Sequence, residues 1–359
     1  MGHINYAPLL FAKQMLRRNF LKKILISTIS IIAMSNKLFA KEMFSKPIFK
    51  DGIFYNNYID HKMAPFKDFW KWRKESTKPD RLSFPLAKNN PTFLQKNRTQ
   101  KTLTWIGHAS VLLQIDGINI LTDPHLTKRA SPVSFAGPSR TTPPGLSIED
   151  LPNIDIIVIS HNHYDHLDYQ TIRKITKKQR NNQPLVLVPL KLKKLLESFG
   201  ATNVMELEWW DKTIFKNLNI HSVPVQHWSN RSFNTNKTLW CGWVFETQNF
   251  KCIFIGDTGY SKDFLTIQEK FSHMDLALIP IGAYAPRWFM KDHHCNVEEA
   301  IQIHKDLKSK NSFAMHWGTF QLTDEPMDEP PRLLEKLSVE KDLSKDEFIA
   351  MIHGESKII

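Results

Sequence analysis

Cysteine is scarce in this sequence, and long apolar segments are missing from it. Three cysteines occur among 359 residues, at 241, 252 and 295, and none lies in a C-x-x-C spacing. An odd and widely spaced set does not form a disulfide framework, so we expect small buried side chains. No apolar run reaches the roughly 20 residues that a membrane-spanning helix requires. No run of lysine and arginine is long enough to indicate a nucleic-acid-binding protein.

The first 40 residues have the composition of an export signal. They hold six basic residues and no acidic one, which is half of the net charge of +12. A basic segment at 16–23 precedes an apolar segment at 24–34 and a small residue at Ala40, the order of a secretory signal. The R-R-x-F-L-K order resembles a twin-arginine signal. We therefore expect an exported protein of a bacterial envelope, periplasmic or membrane-associated, starting at Met1 or Met15; the alternative is an uncleaved amphipathic anchor.

The rest of the chain divides into an arm and a regular body. Residues 41–100 are polar, aromatic and rich in proline, and we interpret them as an irregular N-terminal arm. From 101 to 359 the pattern alternates between apolar strands and amphipathic helices, and the hydrophobic content of 42% is enough for a sizeable core. Strands are predicted at 102–108, 110–115, 118–123, 154–160, 184–189, near 204, and at 218–227, 239–247, 250–257, 276–282, 312–317 and 348–354. Helices are predicted at 169–178, 192–199, 262–271 and 297–307. Two strand-rich halves, each flanked by helices, predict a four-layer α/β/β/α sandwich.

The hexapeptide HNHYDH at 161–166 is the strongest candidate site. It follows the continuous apolar strand at 154–160 directly. Alternate side chains of an extended segment share a face, so His161 and His163 can reach one metal ion together. Asp165 and His166 come where the chain turns toward a helix and can reach a second ion. Imidazole and carboxylate ligands suit zinc, although iron and manganese also fit.

Three further candidates stand at the ends of apolar strands. His227 ends VPVQH, Asp257 ends CIFIGD, and His316 lies in FAMHWG. Each residue alone could be an ordinary strand-edge side chain. Because strand ends converge on the site of an α/β sheet, the shared position indicates that these side chains complete the metal centre.

With these residues in view, the chain resembles the metallo-β-lactamase superfamily. More narrowly, it is similar to N-acyl-phosphatidylethanolamine-hydrolysing phospholipase D and its bacterial relatives, over roughly residues 100–355. The pair Trp209–Trp210 fits the same family. The motifs that carry the resemblance are TWIGHAS, LTDP, SHNHYDHLDY, VPVQHW, GDTGY, PRWFMK, AMHWGTF and HGES.

The resemblance implies a centre of two zinc ions and a role for each side chain. A hydroxide between the ions would attack the phosphodiester, so Asp165 and Asp257 are catalytic as well as metal-binding candidates. His294 would contact the substrate phosphate or protonate the leaving oxygen, with the adjacent His293 as the alternative. The metal ligands would be His161, His163 and His227 for one ion, Asp165, His166 and His316 for the other, and Asp257 for both. His108 and Asp123 would orient the ligands.

The implied function is zinc-dependent hydrolysis of a phospholipid such as N-acyl-phosphatidylethanolamine, a step of phospholipid degradation of the phospholipase D type. A membrane surface and a homodimer are the expected partners, and nucleic acid is not. Arg287 and Lys291 in PRWFMK suit a lipid phosphate. An acyl groove could be lined by Trp209, Trp210, Trp228, Trp288 and Phe289, although aromatic residues are more often core. Two alternatives stay open: a hydrolase of the same fold acting on a lactone, a cyclic phosphate or a nucleic acid phosphodiester, and a non-catalytic exported metal-binding protein.

Overall fold

The computed structural model describes residues 44–59, 66–77, 79–232 and 234–359. Within them, residues 46–359 form one unit. The export signal or anchor that we predict at 1–40, with its start at Met1 or Met15, lies outside the described residues. None of the helices in the described ranges is long and apolar enough to cross a membrane.

The described residues contain sixteen strands and eight helices. The strands of the arm and the first half are β1 (Ile48–Lys50), β2 (Ile53–Tyr55), β3 (Thr102–Gly107), β4 (Ser110–Ile115), β5 (Ile118–Thr122), β6 (Ile156–Val158), β7 (Leu185–Pro189) and β8 (Val204–Leu207). Those of the second half are β9 (Lys212–Phe215), β10 (Leu218–Val223), β11 (Gly242–Glu246), β12 (Lys251–Phe254), β13 (Met274–Pro280), β14 (Ser309–Met315), β15 (Phe348–Ala350) and β16 (Ser356–Ile358). The helices are α1 (Phe66–Glu75), α2 (Pro91–Lys96), α3 (Tyr169–Lys178), α4 (Lys193–Ser198), α5 (Asp263–Phe271), α6 (Arg287–Met290), α7 (Val297–Asp306) and α8 (Glu329–Glu340).

Two mixed seven-stranded sheets form the body. One has the order β16-β3-β4-β5-β6-β7-β8, and the other has the order β15-β14-β13-β12-β11-β10-β9. In the first sheet β3, β4 and β5 pair antiparallel and the pairs from β5–β6 to β7–β8 are parallel, while β16 joins β3 antiparallel. In the second sheet the pairs from β9 to β12 are antiparallel, and those from β12–β13 to β14–β15 are parallel. Parallel neighbours need a crossover connection, and the helices α3, α4, α5, α7 and α8 occur in these crossovers.

The core shows why the four layers pack. Side chains of β6 alternate between two clusters, as the period of a strand requires. Ile156 and Val158 belong to the larger cluster, which also contains Trp243 from β11 in the other sheet. Ile157 belongs to the second cluster, together with Ile172 from α3. Burial on both faces explains why the sequence of β6 is a continuous apolar run. The predicted α/β/β/α sandwich is confirmed.

Several predicted element boundaries differ from the structure. The predicted strand at 218–227 ends at Val223, and only an isolated bridge between Gln226 and Gly259 extends the pairing. The predicted strand at 348–354 contains only β15, at 348–350. Strand β9 had no predicted counterpart, because its side chains alternate between exposed and half-buried positions and none is fully buried.

The arm holds more regular structure than its composition predicts. Residues 46–100 include the antiparallel hairpin β1–β2 and the helices α1 and α2. Asn56, just after the hairpin, is buried and donates from Nδ2 to the His227 carbonyl at 2.8 Å, and its Oδ1 accepts from the His227 backbone N–H at 3.0 Å. The arm therefore holds the backbone of one predicted metal ligand in place.

A buried carboxyl at the start of α5 makes the stability of the fold depend on pH. Asp263 accepts hydrogen bonds from Asn57 Nδ2 at 2.8 Å and from Ser261 Oγ at 2.7 Å. Burial outweighs both bonds and raises the pKa of Asp263 to about 6. The unfolded value is about 3.9, so the folded state binds this proton more tightly. Its contribution to stability is therefore full below about pH 4 and is lost as the pH rises to about 6.

Asp263→Asn should remove that part of the pH dependence. The difference between the two pKa values corresponds to roughly 3 kcal/mol. We expect the change in unfolding free energy between pH 4.5 and pH 7 to be smaller in the variant than in the wild type, measured by urea denaturation at both pH values. Equal pH dependence in the two proteins would show that Asp263 is not the group responsible.

Candidate metal centre

The predicted ligands enter the site on loops that follow β6 in one sheet and β10, β12 and β14 in the other. Two residues separate β6 from the HNHYDH loop, which leads into α3, whose first turn is capped by Asp168. Arg231 Nη1 donates to the carbonyls of Asn162 at 3.1 Å and Leu167 at 2.9 Å, which fixes the loop from both sides. Trp243 Nε1 donates to the carbonyl of Ile159 at 3.0 Å, which ties the second sheet to the start of the loop.

Three imidazoles form the first cluster. His161 Nε2 lies 2.8 Å from His163 Nδ1, and His227 Nε2 lies 3.3 Å from the same His163 atom. Nitrogens bound to one zinc ion at about 2.1 Å in tetrahedral geometry stand roughly 3.4 Å apart. The three nitrogens therefore fit a single cation, as predicted for these residues.

Asp165, His166 and His316 form the second cluster. His166 Nε2 lies 3.5 Å from Asp165 Oδ2, and His316 Nε2 lies 3.6 Å from it. The two imidazole nitrogens are 3.2 Å apart. His108 Nε2 donates to the same Asp165 oxygen at 2.9 Å, so it orients the carboxylate as expected. This set of one carboxylate and two imidazoles fits a second cation.

The carboxylate of Asp257 faces both clusters. Its Oδ2 lies 3.0 Å from His166 Nε2 and 3.7 Å from His227 Nε2. Its Oδ1 lies 3.1 Å from His316 Nε2. The side chain is buried, at 2% exposure, so its charge requires nearby positive partners. The geometry is that of a ligand shared between two ions.

The protonation of the histidines differs between the clusters. Burial lowers the pKa of His163 to about 4 and holds those of His161 and His227 well below the ordinary value. These rings are neutral, the form that binds metals. Burial opposes the charge on His316 as well, but Asp257 and Asp165 outweigh it and raise its pKa to about 9. The acidic side chains at the second cluster therefore stabilise a positive charge at the position where a cation fits.

Outer hydrogen bonds set which nitrogen of each ring faces inward. Asp123 Oδ2 accepts from His166 Nδ1 at 2.7 Å and from Ser160 Oγ at 2.5 Å. Ser160 Oγ in turn accepts from His161 Nδ1 at 2.9 Å. One buried carboxylate therefore orients a ligand of each cluster, which leaves both Nε2 atoms for metal binding. The family resemblance predicted the orienting role of Asp123, but no feature of the sequence predicted a role for Ser160.

A glycine makes room for this network. A Cβ atom on Gly256 would lie 2.5 Å from Ser160 Cβ, and the residue has a φ of +70°, which side-chain-bearing residues rarely adopt. Gly256 immediately precedes Asp257. The turn that positions the Asp257 carboxylate therefore also leaves space for the Ser160 side chain. The close approach of Ser160 explains why a glycine precedes Asp257 in the GDTGY motif.

The structure separates the two adjacent histidines. The His294 ring lies over the centre, with Nδ1 4.0 Å from Asp257 Oδ2 and its centroid 5.6 Å from that of His316. The His293 ring centroid lies 5.6 Å from that of Trp228, and the His293 carbonyl accepts from His227 Nδ1 at 2.9 Å. Of the two imidazoles, His294 is the one placed to contact a substrate.

Two other expectations for side chains at the site are wrong. Trp209 is fully buried and donates from Nε1 to the Trp240 carbonyl at 2.7 Å, so it belongs to the core and not to an acyl groove. Arg287 donates to the His294 carbonyl at 2.6 Å and to Glu299 at 2.7 Å. It therefore positions the segment that carries His294 instead of presenting its charge to a phosphate.

The fold and the paired clusters define a metal-dependent hydrolase of the metallo-β-lactamase type. The family model of the β-lactamase superfamily domain matches residues 118–317. N-acyl-phosphatidylethanolamine-hydrolyzing phospholipase D 1 of Caenorhabditis elegans is 41% identical over 265 residues, which cover 70% of this chain and 74% of that protein. The chain thus belongs to the β-lactamase superfamily and, within it, to the family of N-acyl-phosphatidylethanolamine-hydrolysing phospholipase D proteins.

Other relatives and solved structures agree with this placement. A mitochondrial enzyme of the same name from Saccharomyces cerevisiae is 39% identical over 259 residues, 69% of this chain and 54% of that protein. The metallo hydrolase Igni18 from Ignicoccus hospitalis covers 73% of this chain and 99% of its own, with a TM-score of 0.55 and 21% identity. A possible metal-dependent hydrolase from Veillonella parvula covers 73% and 100%, with a TM-score of 0.59 and 18% identity. The two structures show a shared fold.

Proposed function

We propose that the chain hydrolyses the phosphodiester of a phospholipid such as N-acyl-phosphatidylethanolamine, releasing phosphatidic acid. The proposal rests on the convergence of six side chains from three loops on the carboxylate of Asp257, which comes from a fourth loop. The name of the relative that is 41% identical supports the substrate class. A structural zinc site needs only four closed ligands, so a paired set sharing one carboxylate favours catalysis over a purely structural role.

The chain's own residues account for binding and orientation. When bound, two metal ions, zinc by preference and iron or manganese as alternatives, would activate water and neutralise the phosphodiester charge. His161, His163 and His227 would hold one ion, Asp165, His166 and His316 the other, and Asp257 both. His294 Nδ1 lies 4.0 Å from Asp257 Oδ2, so its ring can donate a hydrogen bond to a phosphate oxygen bound there or a proton to the departing alkoxide.

The surroundings of the metal-binding loop suit a lipid. A cavity of about 460 Å³ lies beside the loop and has a mixed lining. Leu167 and Phe199 supply apolar surface, and Lys128, Arg129 and Arg231 supply positive charge. A ligand with an acyl chain and an anionic head is compatible with such a lining.

Product analysis tests the proposal. Metal-loaded protein should convert N-acyl-phosphatidylethanolamine into phosphatidic acid and an N-acylethanolamine, identified by mass spectrometry. In ¹⁸O-labelled water the label should enter the phosphatidic acid, because attack occurs at phosphorus. Turnover of a lactone, a cyclic nucleotide or a nucleic acid phosphodiester without any phospholipid product would favour the other hydrolases of this fold. A metal-loaded protein inert toward all of these would favour a non-catalytic metal-binding role.

The cellular setting is a further part of the proposal. The basic, apolar and small-residue order at 16–40 supports export to a bacterial envelope. Sequencing the N-terminus of native protein tests it, since a first residue near 41 supports cleavage and Met1 or Met15 contradicts it. A homodimer stays a prediction, to be tested by light scattering.

A further inference from the structure

Helices α1 and α6 together form an exposed aromatic face. Trp72 stacks on Phe289 with ring centroids 5.5 Å apart, and Phe69 contacts Trp72 at 5.9 Å. Trp288 continues the row, with its centroid 5.5 Å from that of Phe289. The exposed fractions are 58% for Trp70, 50% for Trp288 and 40% for Phe69. We name these five residues the aromatic face.

Hydrogen bonds to Asp324 fix the position of the aromatic face. Asp324 accepts from Trp72 Nε1 at 2.9 Å through one oxygen and from Ser76 Oγ at 2.5 Å through the other. These two bonds anchor the C-terminal end of α1, and its aromatic residues Phe69 and Trp70 are exposed. Scattered exposed apolar residues need no explanation, but a contiguous cluster of large aromatic side chains marks a contact surface.

The charges around the face identify the occupant. Helix α1 carries Lys67, Lys71, Arg73 and Lys74 against the two acids Asp68 and Glu75. Lys71 Nζ lies 4.7 Å from the Trp288 ring centre, so a cation is interleaved with the aromatic rings. Tryptophan beside lysine is the combination found at the headgroup level of membranes, and basic residues attract anionic lipids. Two copies of the same basic face would repel each other, which argues against self-association.

The face also lies next to the metal centre. Helix α6 supplies Trp288 and Phe289, and the Met290 carbonyl at its end accepts the backbone N–H of His294 at 2.9 Å. The imidazole of His294 faces Asp257, as described above. A surface that contacts this face would therefore lie against the helix that leads directly into the segment carrying His294.

We propose that the aromatic face, with Lys67 and Lys71, docks the protein onto an anionic phospholipid bilayer beside the metal centre. The purpose of docking rests on the proposed phospholipid substrate, but the docking itself is measured without turnover. Tryptophan side chains enter the headgroup region, and the lysines stay at the phosphate level.

Vesicle flotation with the zinc-loaded full chain tests the proposal. The probe is a phosphatidylcholine vesicle with or without 30% phosphatidylglycerol. Wild-type protein should float with the anionic vesicles, and both the Trp70→Ser/Trp288→Ser and the Lys67→Glu/Lys71→Glu variants should bind at least about tenfold less. The matched controls are Ile214→Ser/Val339→Ser, at positions 61% and 75% exposed on other elements, and Lys193→Glu/Lys194→Glu on α4. Both control pairs should bind like the wild type, and circular dichroism checks that every variant is folded.

Hydrolysis assays complete the test. Activity on a lipid in anionic vesicles should fall in parallel with binding, while activity on a soluble phosphodiester should stay within about twofold. Variants that bind vesicles as well as the wild type would overturn the docking proposal. Light scattering that shows a wild-type dimer dissolved by the same substitutions would overturn it too, since the face would then join two copies. Vesicle binding without any phospholipid product would leave docking intact and refute the proposed substrate instead.

Discussion

Asp257→Asn should abolish hydrolysis, with a loss of at least about 10³-fold. The Asp257 carboxylate faces both clusters, with Oδ2 3.7 Å from His227 Nε2 of the first cluster and Oδ1 3.1 Å from His316 Nε2 of the second. An amide keeps one good oxygen acceptor and places an NH₂ group where the second oxygen was, so it cannot serve both ions. It also removes the negative charge that balances two cations in a buried site.

The measurement is the rate on a phosphodiester together with metal content by mass spectrometry. We expect metal content to fall from two ions per chain toward one. Asp292→Asn is the matched control, because that carboxylate is exposed and lies only two residues from His294. A fully active Asp257→Asn protein with two bound ions would remove Asp257 from the centre.

Removing the acceptor that Ser160 and His166 share should weaken both metal sites. Asp123→Ala deletes the carboxylate that holds His166 directly and His161 through Ser160. Loss of such an orienting partner typically lowers metal affinity by 10–100-fold. Ser160→Ala should lower the affinity of only the site that contains His161, because the bond from Asp123 to His166 remains.

Competition with a chelator measures both affinities, and the cobalt-substituted proteins report ligand geometry in their visible spectra. Ser312→Ala is the control, since this serine is equally buried on β14 but contacts His304. Unchanged affinity and spectra in both variants would mean that the hydrogen-bonded chain has no part in metal binding.

The parts of the fold and site that follow from local pattern could be predicted. A continuous apolar strand followed at once by HNHYDH places four side chains at one strand end, because the chain has no room to carry them elsewhere. The polar residues after β10, β12 and β14 converge there because these strands of the second sheet run in the same direction and end at the same edge. The alternation of strands and helices was sufficient for the four layers.

The other features of the site depend on contacts between residues that are distant in the sequence, and a local sequence pattern does not predict such contacts. Ser160 contacts Asp123 only because two strands of one sheet lie side by side and Gly256 leaves space between the sheets. Asn56 holds His227 from 171 residues away. Trp209 was predicted to line a substrate groove. It is buried in the core instead, because the packing of the two sheets decides which side chains are enclosed.

The anomalous X-ray signal of zinc in crystals of the loaded protein tests the two-metal centre most directly. We expect two peaks per chain, one among His161, His163 and His227 and one among Asp165, His166 and His316, with Asp257 between them. A single peak, or peaks away from these side chains, would contradict a two-metal hydrolytic centre.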